Sequence, residues 1–221
     1  MGKSVKVLLA VTFVIGALLG AVLTSILIQG NPSLELAPGD VYRRSTTIVG
    51  IDRDGNGKLA TLTVELRPGS GHLALAIPPF ENDDSQRSAV TARAAAASEA
   101  GYNLDRVDIV VSIDNLTPDT TLSGPSASAS IALLIMATIR AKENKTPNLV
   151  RADVVISASI NSLARLDPVG GIVKKYNALR GSGEHWTFVI SKYQAEQLTE
   201  YPGISVERAD DLRQLAELAL W

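Results

Sequence analysis

Cysteine is absent from the 221 residues, which excludes disulfide staples, thiolate metal sites and a cysteine nucleophile, and leaves the redox compartment open. Histidine is nearly absent too: His72 and His185 are the only two, and neither lies in a recognisable catalytic motif. An excess of one charge is also lacking. Lys and Arg number 21 against 23 Asp and Glu, with no cluster able to neutralise a row of phosphates, so nucleic acid is not an expected partner. No GxxxxGK[ST] phosphate loop occurs, so this chain is not expected to bind ATP. No motif calls for a cofactor or metal. Asp52, Asp54, Asn56 and Gly57 imitate the opening of a calcium loop, but Thr63 stands where a bidentate Glu is needed, and a plain hairpin is the expected reading.

What is present begins with a long uncharged run, residues 7–28. At 1.5 Å per residue it makes roughly 33 Å of helix, enough to cross a hydrocarbon core of ~30 Å. A cleaved signal is the rival, but its apolar region is usually shorter, so residues 1–30 are expected as a transmembrane anchor. Lys3 and Lys6 precede the run, and the next basic residues are Arg43 and Arg44. The positive-inside bias therefore puts the domain outside the cytoplasm, at the cell membrane on a single pass. The Asn-x-Thr triplets at Asn115 and Asn144 agree with an external domain. Gly16 and Gly20 have the spacing of a helix-association motif.

Pro32, Pro38 and Gly39 mark residues 31–41 as a linker, and residues 42–221 as one domain large enough to bury a core. Strand patterns at 46–52 and 59–66 flank the hairpin, and a third lies near 72–77. An Ala-rich helix follows at 85–100, capped by Asp83 or Asp84 and stopped by Gly101, then a strand at 107–113. The order continues with a helix near 126–142, strands within 152–167, a helix near 171–180, a strand at 186–190, a helix near 192–200, a strand at 204–207 and a helix near 209–219. This is an α+β domain, a mixed α/β sandwich around a mixed sheet.

The segment Leu122-Ser123-Gly124-Pro125-Ser126-Ala127-Ser128 lies between a strand and an apolar helix. A Ser in the first turn of that helix sits among unpaired backbone N–H groups at the positive end of the helix dipole, which suits a developing oxyanion. The plain alternative is a helix cap. A serine nucleophile needs a base, and without a motif-borne histidine a desolvated lysine is the candidate. After Pro168-Val169-Gly170-Gly171, Ile172, Lys175, Tyr176 and Leu179 share one helical face. Lys174 is turned about 100° away and is expected in solvent. A lysine snorkelling at the edge of the stripe is the plain alternative for Lys175.

Taken together, Gly-Pro-Ser-Ala opening an apolar helix, then Arg151-Ala152-Asp153-Val154, then Pro168-Val169-Gly170-Gly171-x-x-x-Lys175 resemble the peptidase domain of Lon proteases (peptidase family S16) in order and spacing. The resemblance implies the ribosomal protein S5 domain 2-like fold and a serine endopeptidase with a Ser-Lys dyad. Ser126 attacks, Lys175 accepts its proton, Ser157 supplies a hydroxyl to the lysine, and backbone N–H groups at Ser126 and Ala127 hold the oxyanion. It also implies protein or peptide substrates and a homo-oligomer, a six-membered ring in that family. The ATPase half of Lon is missing, so activity is expected to be ATP-independent, on unfolded or flexible segments. Three positions depart from the family: Ser123 replaces an acid, Ser128 a glycine, and Ala158-Ser159 a Gly-Glu pair. Losing those acids removes charge that tunes the lysine. Two other readings follow. One is a catalytically silent, membrane-tethered binding or assembly module. The other is a small-molecule kinase of related fold, which would need more than the single Gly124 to cradle phosphate.

Overall fold

The computed structural model describes residues 31–52, 54–76, 83–115, 125–144 and 149–221. The expected membrane span at 7–28, residues Leu122 to Gly124, residues 116–117 of the Asn115 triplet and all but the backbone of Asn144 in the second triplet lie outside them. Among the described residues no helix is long and apolar enough to cross a membrane.

Seven strands form one mixed, mostly parallel sheet: β1 (Tyr42–Ile51), β2 (Gly57–Pro68), β3 (Leu73–Ala76), β4 (Val107–Asp114), β5 (Val154–Ser157), β8 (Trp186–Ser191) and β9 (Ile204–Ala209), in the order β3-β4-β2-β1-β5-β8-β9. β6 (Ser159–Ile160) and β7 (Leu166–Asp167) make a separate small hairpin. The helices are α1 (Asp83–Ala100), α2 (Ser128–Asn144), α3 (Ile172–Ser182) and α4 (Leu212–Ala219).

β1 and β2 pair antiparallel without a break from Tyr42↔Leu66 to Ile51↔Gly57. The turn between them is held by Asp52, whose Oδ1 accepts the Asn56 N–H at 2.7 Å, while Gly55 takes φ +83°, open to glycine at no steric cost. β1, β5, β8 and β9 then run parallel. A parallel strand buried on both faces reads as a continuous apolar run, as β5 and β8 do.

Two cores lie on opposite faces. On one, α2 is buried nearly all round, with Ile131 to Ala137 shielded from solvent. α1 reaches it through Ala89, Ala92 and Ala96, small side chains that let the two helices approach closely. On the other face α3 packs Ile172, Tyr176 and Leu179 against Val155, Phe188 and Ile190. Because side chains alternate along a strand, Val155 and Ser157 point toward α3, while Val154 and Ile156 belong to the first core.

Two expectations are corrected. Residues 31–41 are not a plain linker: the compact unit begins at Ser33, Leu34 is 1% exposed in the main core, and its N–H bonds Asn103 C=O at 2.9 Å. The helix expected near 192–200 does not form. Its backbone is drawn to distant side chains instead. Arg208 donates to the carbonyls of Gln194 and Glu196, and Tyr176 Oη donates to Thr199 C=O, so these acceptors are engaged by long-range partners in place of an i−4 ladder.

Candidate active site

Lys175 is the centre of the arrangement. Ile172, Lys175, Tyr176 and Leu179 are the buried residues of α3, whereas Lys174 is exposed. Lys175 is 3% exposed, and its Nζ donates to Ser157 Oγ at 3.0 Å. Among the described residues no carboxylate pairs with it; burial pushes its pKa from 10.5 down to about 8. A lysine so placed has an appreciable neutral fraction near pH 8, whereas an exposed lysine has almost none.

Two devices fix the start of α3. Gly171 caps it at φ 70°, ψ 21°, with Ile51 Cδ1 lying where its Cβ would be. Ahead of it, the Gln194 amide brackets Val169, Oε1 accepting the Val169 N–H and Nε2 donating to the Val169 C=O, both at 3.0 Å. Gln194 is 5% exposed. Nothing in the sequence pointed to it, because a lone Gln inside an apparent helix carries no motif. Gly171→Ala should lower stability by about 1–2 kcal/mol through its positive φ, and Gly170→Ala, with open space around it, should stay within about 0.5 kcal/mol, as read by chemical denaturation. Equal costs at the two positions would contradict this account of the turn.

Ser126 is half-buried in a single 3₁₀ turn, Pro125–Ala127, that leads directly into α2. Ala127 is half-buried beside it and packs on the main core. The turn rests on the chain that continues from β5. Ala129 N–H meets Ala158 C=O at 3.4 Å, and Ser128 Oγ accepts the Ile160 N–H at 3.0 Å. Residues 157–160 thus form one rail, with Ser157 and Lys175 at one end and the Ser126 turn along it. It leaves the carboxyl end of β5, where open α/β sheets commonly place their clefts. No hydrogen bond joins Ser126 to Lys175. Of the positions that depart from the resembled family, Ser159 donates to Asp167 C=O at 3.4 Å and Ser128 holds the bond just described. Ser123 lies outside the described residues.

A Ser–His–Asp grouping is also present at the surface and is built differently from a catalytic triad. Ser70 Oγ lies 2.9 Å from His72 Nδ1, and Asp108 Oδ1 lies 3.5 Å from that same nitrogen. A relay needs the acid on one ring nitrogen and the hydroxyl on the other. Here Asp108 also accepts the His72 and Ser70 backbone N–H groups, which hold its carboxyl below the usual range, so its structural part is to close a turn. Among the described residues no three His, Cys, Asp or Glu side chains converge in a metal-binding group. No family model matches the sequence, and no curated protein matches it.

Proposed function

We propose that the domain is a Lon-type serine endopeptidase of the ribosomal protein S5 domain 2-like fold, with Ser126 as nucleophile and Lys175 as general base. One observation carries this reading: a buried lysine, paired with no acid among the described residues and fixed by a serine hydroxyl, stands at the end of the short rail on which the Ser126 turn rests. A buried cation without a counter-charge is costly, and lysines held in that condition are suited to proton abstraction.

In the reaction, neutral Lys175 donates one N–H to Ser157, which turns its lone pair toward Ser126. Ser126 Oγ attacks the peptide carbonyl as its proton passes to Nζ, and the N–H groups of the Ser126–Ala127 turn receive the oxyanion. The resulting ammonium protonates the leaving amine as the C–N bond breaks, giving the acyl-enzyme. Water attacks that ester, Lys175 takes its proton, and return of the proton to Ser126 frees the product acid. The missing Ser126–Lys175 bond is in keeping with sites whose catalytic hydrogen bonds tighten only around substrate. The same absence favours the second reading, a silent Lon-like module tethered to the membrane for binding or assembly.

The whole chain is proposed to be anchored through residues 7–28 with the domain outside the cytoplasm, acting without ATP on unfolded or flexible protein segments as a homo-oligomer. A fluorophosphonate probe separates the two readings. The peptidase reading expects stoichiometric labelling of Ser126, lost in Ser126→Ala, together with cleavage of an unfolded protein. A folded wild type that takes no label and cleaves nothing is the result expected of the silent module.

A further inference from the structure

We infer that Ser128 is a positioning residue for the nucleophile, a hydroxyl strap that fixes the turn carrying Ser126 to the strand segment carrying Ser157; this rests on the Ser126–Lys175 reading above. Ser128 opens α2 and is 1% exposed. Its Oγ donates to Pro125 C=O at 2.7 Å, one residue before Ser126, and accepts the Ile160 N–H at 3.0 Å, three residues after Ser157. One oxygen therefore ties the turn that presents Ser126 to the rail that begins at Ser157.

The geometry leaves little else for that task. Ser126 has no hydrogen bond to Lys175, and among the described residues the other bond between the helix start and the rail is the longer Ala129–Ala158 contact at 3.4 Å. The hydroxyl uses its donor and one acceptor site in a place that solvent barely reaches, so water has little room to replace either bond. Without it, the buried Ile160 N–H loses its partner, and the Pro125 carbonyl loses the bond that tightens the turn. Ser130, two residues on, is a built-in comparison: it is fully buried, and its Oγ has no hydrogen-bond partner among the described residues.

The test uses the full chain in detergent, with kcat, KM and the pH dependence of kcat on an unfolded protein substrate, plus amide exchange at Ile160. Ser128→Ala should fold, lose protection at Ile160 and lower kcat roughly ten- to hundredfold, the range expected when a reacting group is misplaced by about an ångström. KM should stay within about twofold, because binding surfaces are untouched. The pH midpoint should not move, since nothing around Lys175 changes. Ser128→Thr keeps the hydroxyl and should recover most of kcat, and Ser130→Ala should match wild type in every readout. If Ser128→Ala does not fold, Ser128→Thr decides: activity with Ile160 protected supports the strap, and a folded but inactive protein overturns it. Wild-type kcat in folded Ser128→Ala, or an equal loss in Ser130→Ala, overturns the strap while leaving Ser126 as nucleophile, provided Ser126→Ala is dead. A wild type that neither labels nor hydrolyses removes the catalytic reading and the strap with it.

Discussion

Lys175→Arg should reduce kcat by at least about 10³-fold and leave the protein folded, because a guanidinium stays protonated throughout the accessible pH range and has no lone pair to offer Ser126. Ser126→Ala should fall to the same floor. The double variant should fall no further, since residues that act as one unit lose their effect together. Lys174→Arg, one position away and exposed, should remain near wild type. The wild-type profile should climb about tenfold per pH unit at low pH and level off above the Lys175 pKa of about 8, as only the neutral amine accepts a proton. Ser157→Ala removes the hydroxyl that Nζ donates to and should cost about 1–3 kcal/mol of transition-state stabilisation. Full activity in Lys175→Arg together with a dead Lys174→Arg would show the phase of α3 to be misassigned as the catalytic face.

Much of this architecture can be read from local pattern. The apolar period that placed Lys175 on the inner face of α3 depends on residues three and four apart, and neighbours within a helix are fixed by helical geometry alone. The Asp52–Asn56 turn is local chemistry of the same kind. What escaped was settled by partners far away in sequence. Leu34 looks like an isolated apolar residue in a Pro-rich stretch until the Asn103 carbonyl and the main core meet it. Residues 192–200 have adequate helical pattern, but Arg208, Val169 and Tyr176 engage their backbone and the Gln194 amide in an irregular path. Ser128 read as a departure from a family pattern, with no sign of the bond that Ile160 makes to it from 32 residues away. In the site, the residue types and the helix phase were legible. The distances, the rail and the bracket on Val169 were not, because each joins separate elements.

Lys175→Met should abolish turnover yet make the protein more stable, a combination that a lysine of purely structural purpose would not give. The reason lies in the sign of its linkage. An ordinary lysine has a pKa of 10.5, and burial brings Lys175 to about 8 in the folded state. Between those values the unfolded chain holds a proton that the folded chain has released, so stability rises with pH across this window. Below about pH 8 the folded protein carries the full cost of the buried cation, on the order of 3 kcal/mol for a shift of this size. Above about pH 10.5 both states are neutral and that cost is gone. Methionine has similar length and no charge, and it adapts to irregular apolar gaps. Against this, Ser157 loses the N–H it accepts, which returns about 1 kcal/mol or more. The net gain at pH 7 should be about 1–2 kcal/mol, or roughly 2–8 °C in Tm for a domain of this size. It should shrink steadily from pH 8 to pH 10.5 and reverse at the upper end, where only the lost hydrogen bond remains. Thermal melts of wild type and Lys175→Met at intervals across pH 7 to 10.5 supply the measurement. A variant less stable than wild type by the same margin at every pH would mean that Lys175 carries no burden of buried charge, and the physical basis for treating it as the base would be lost.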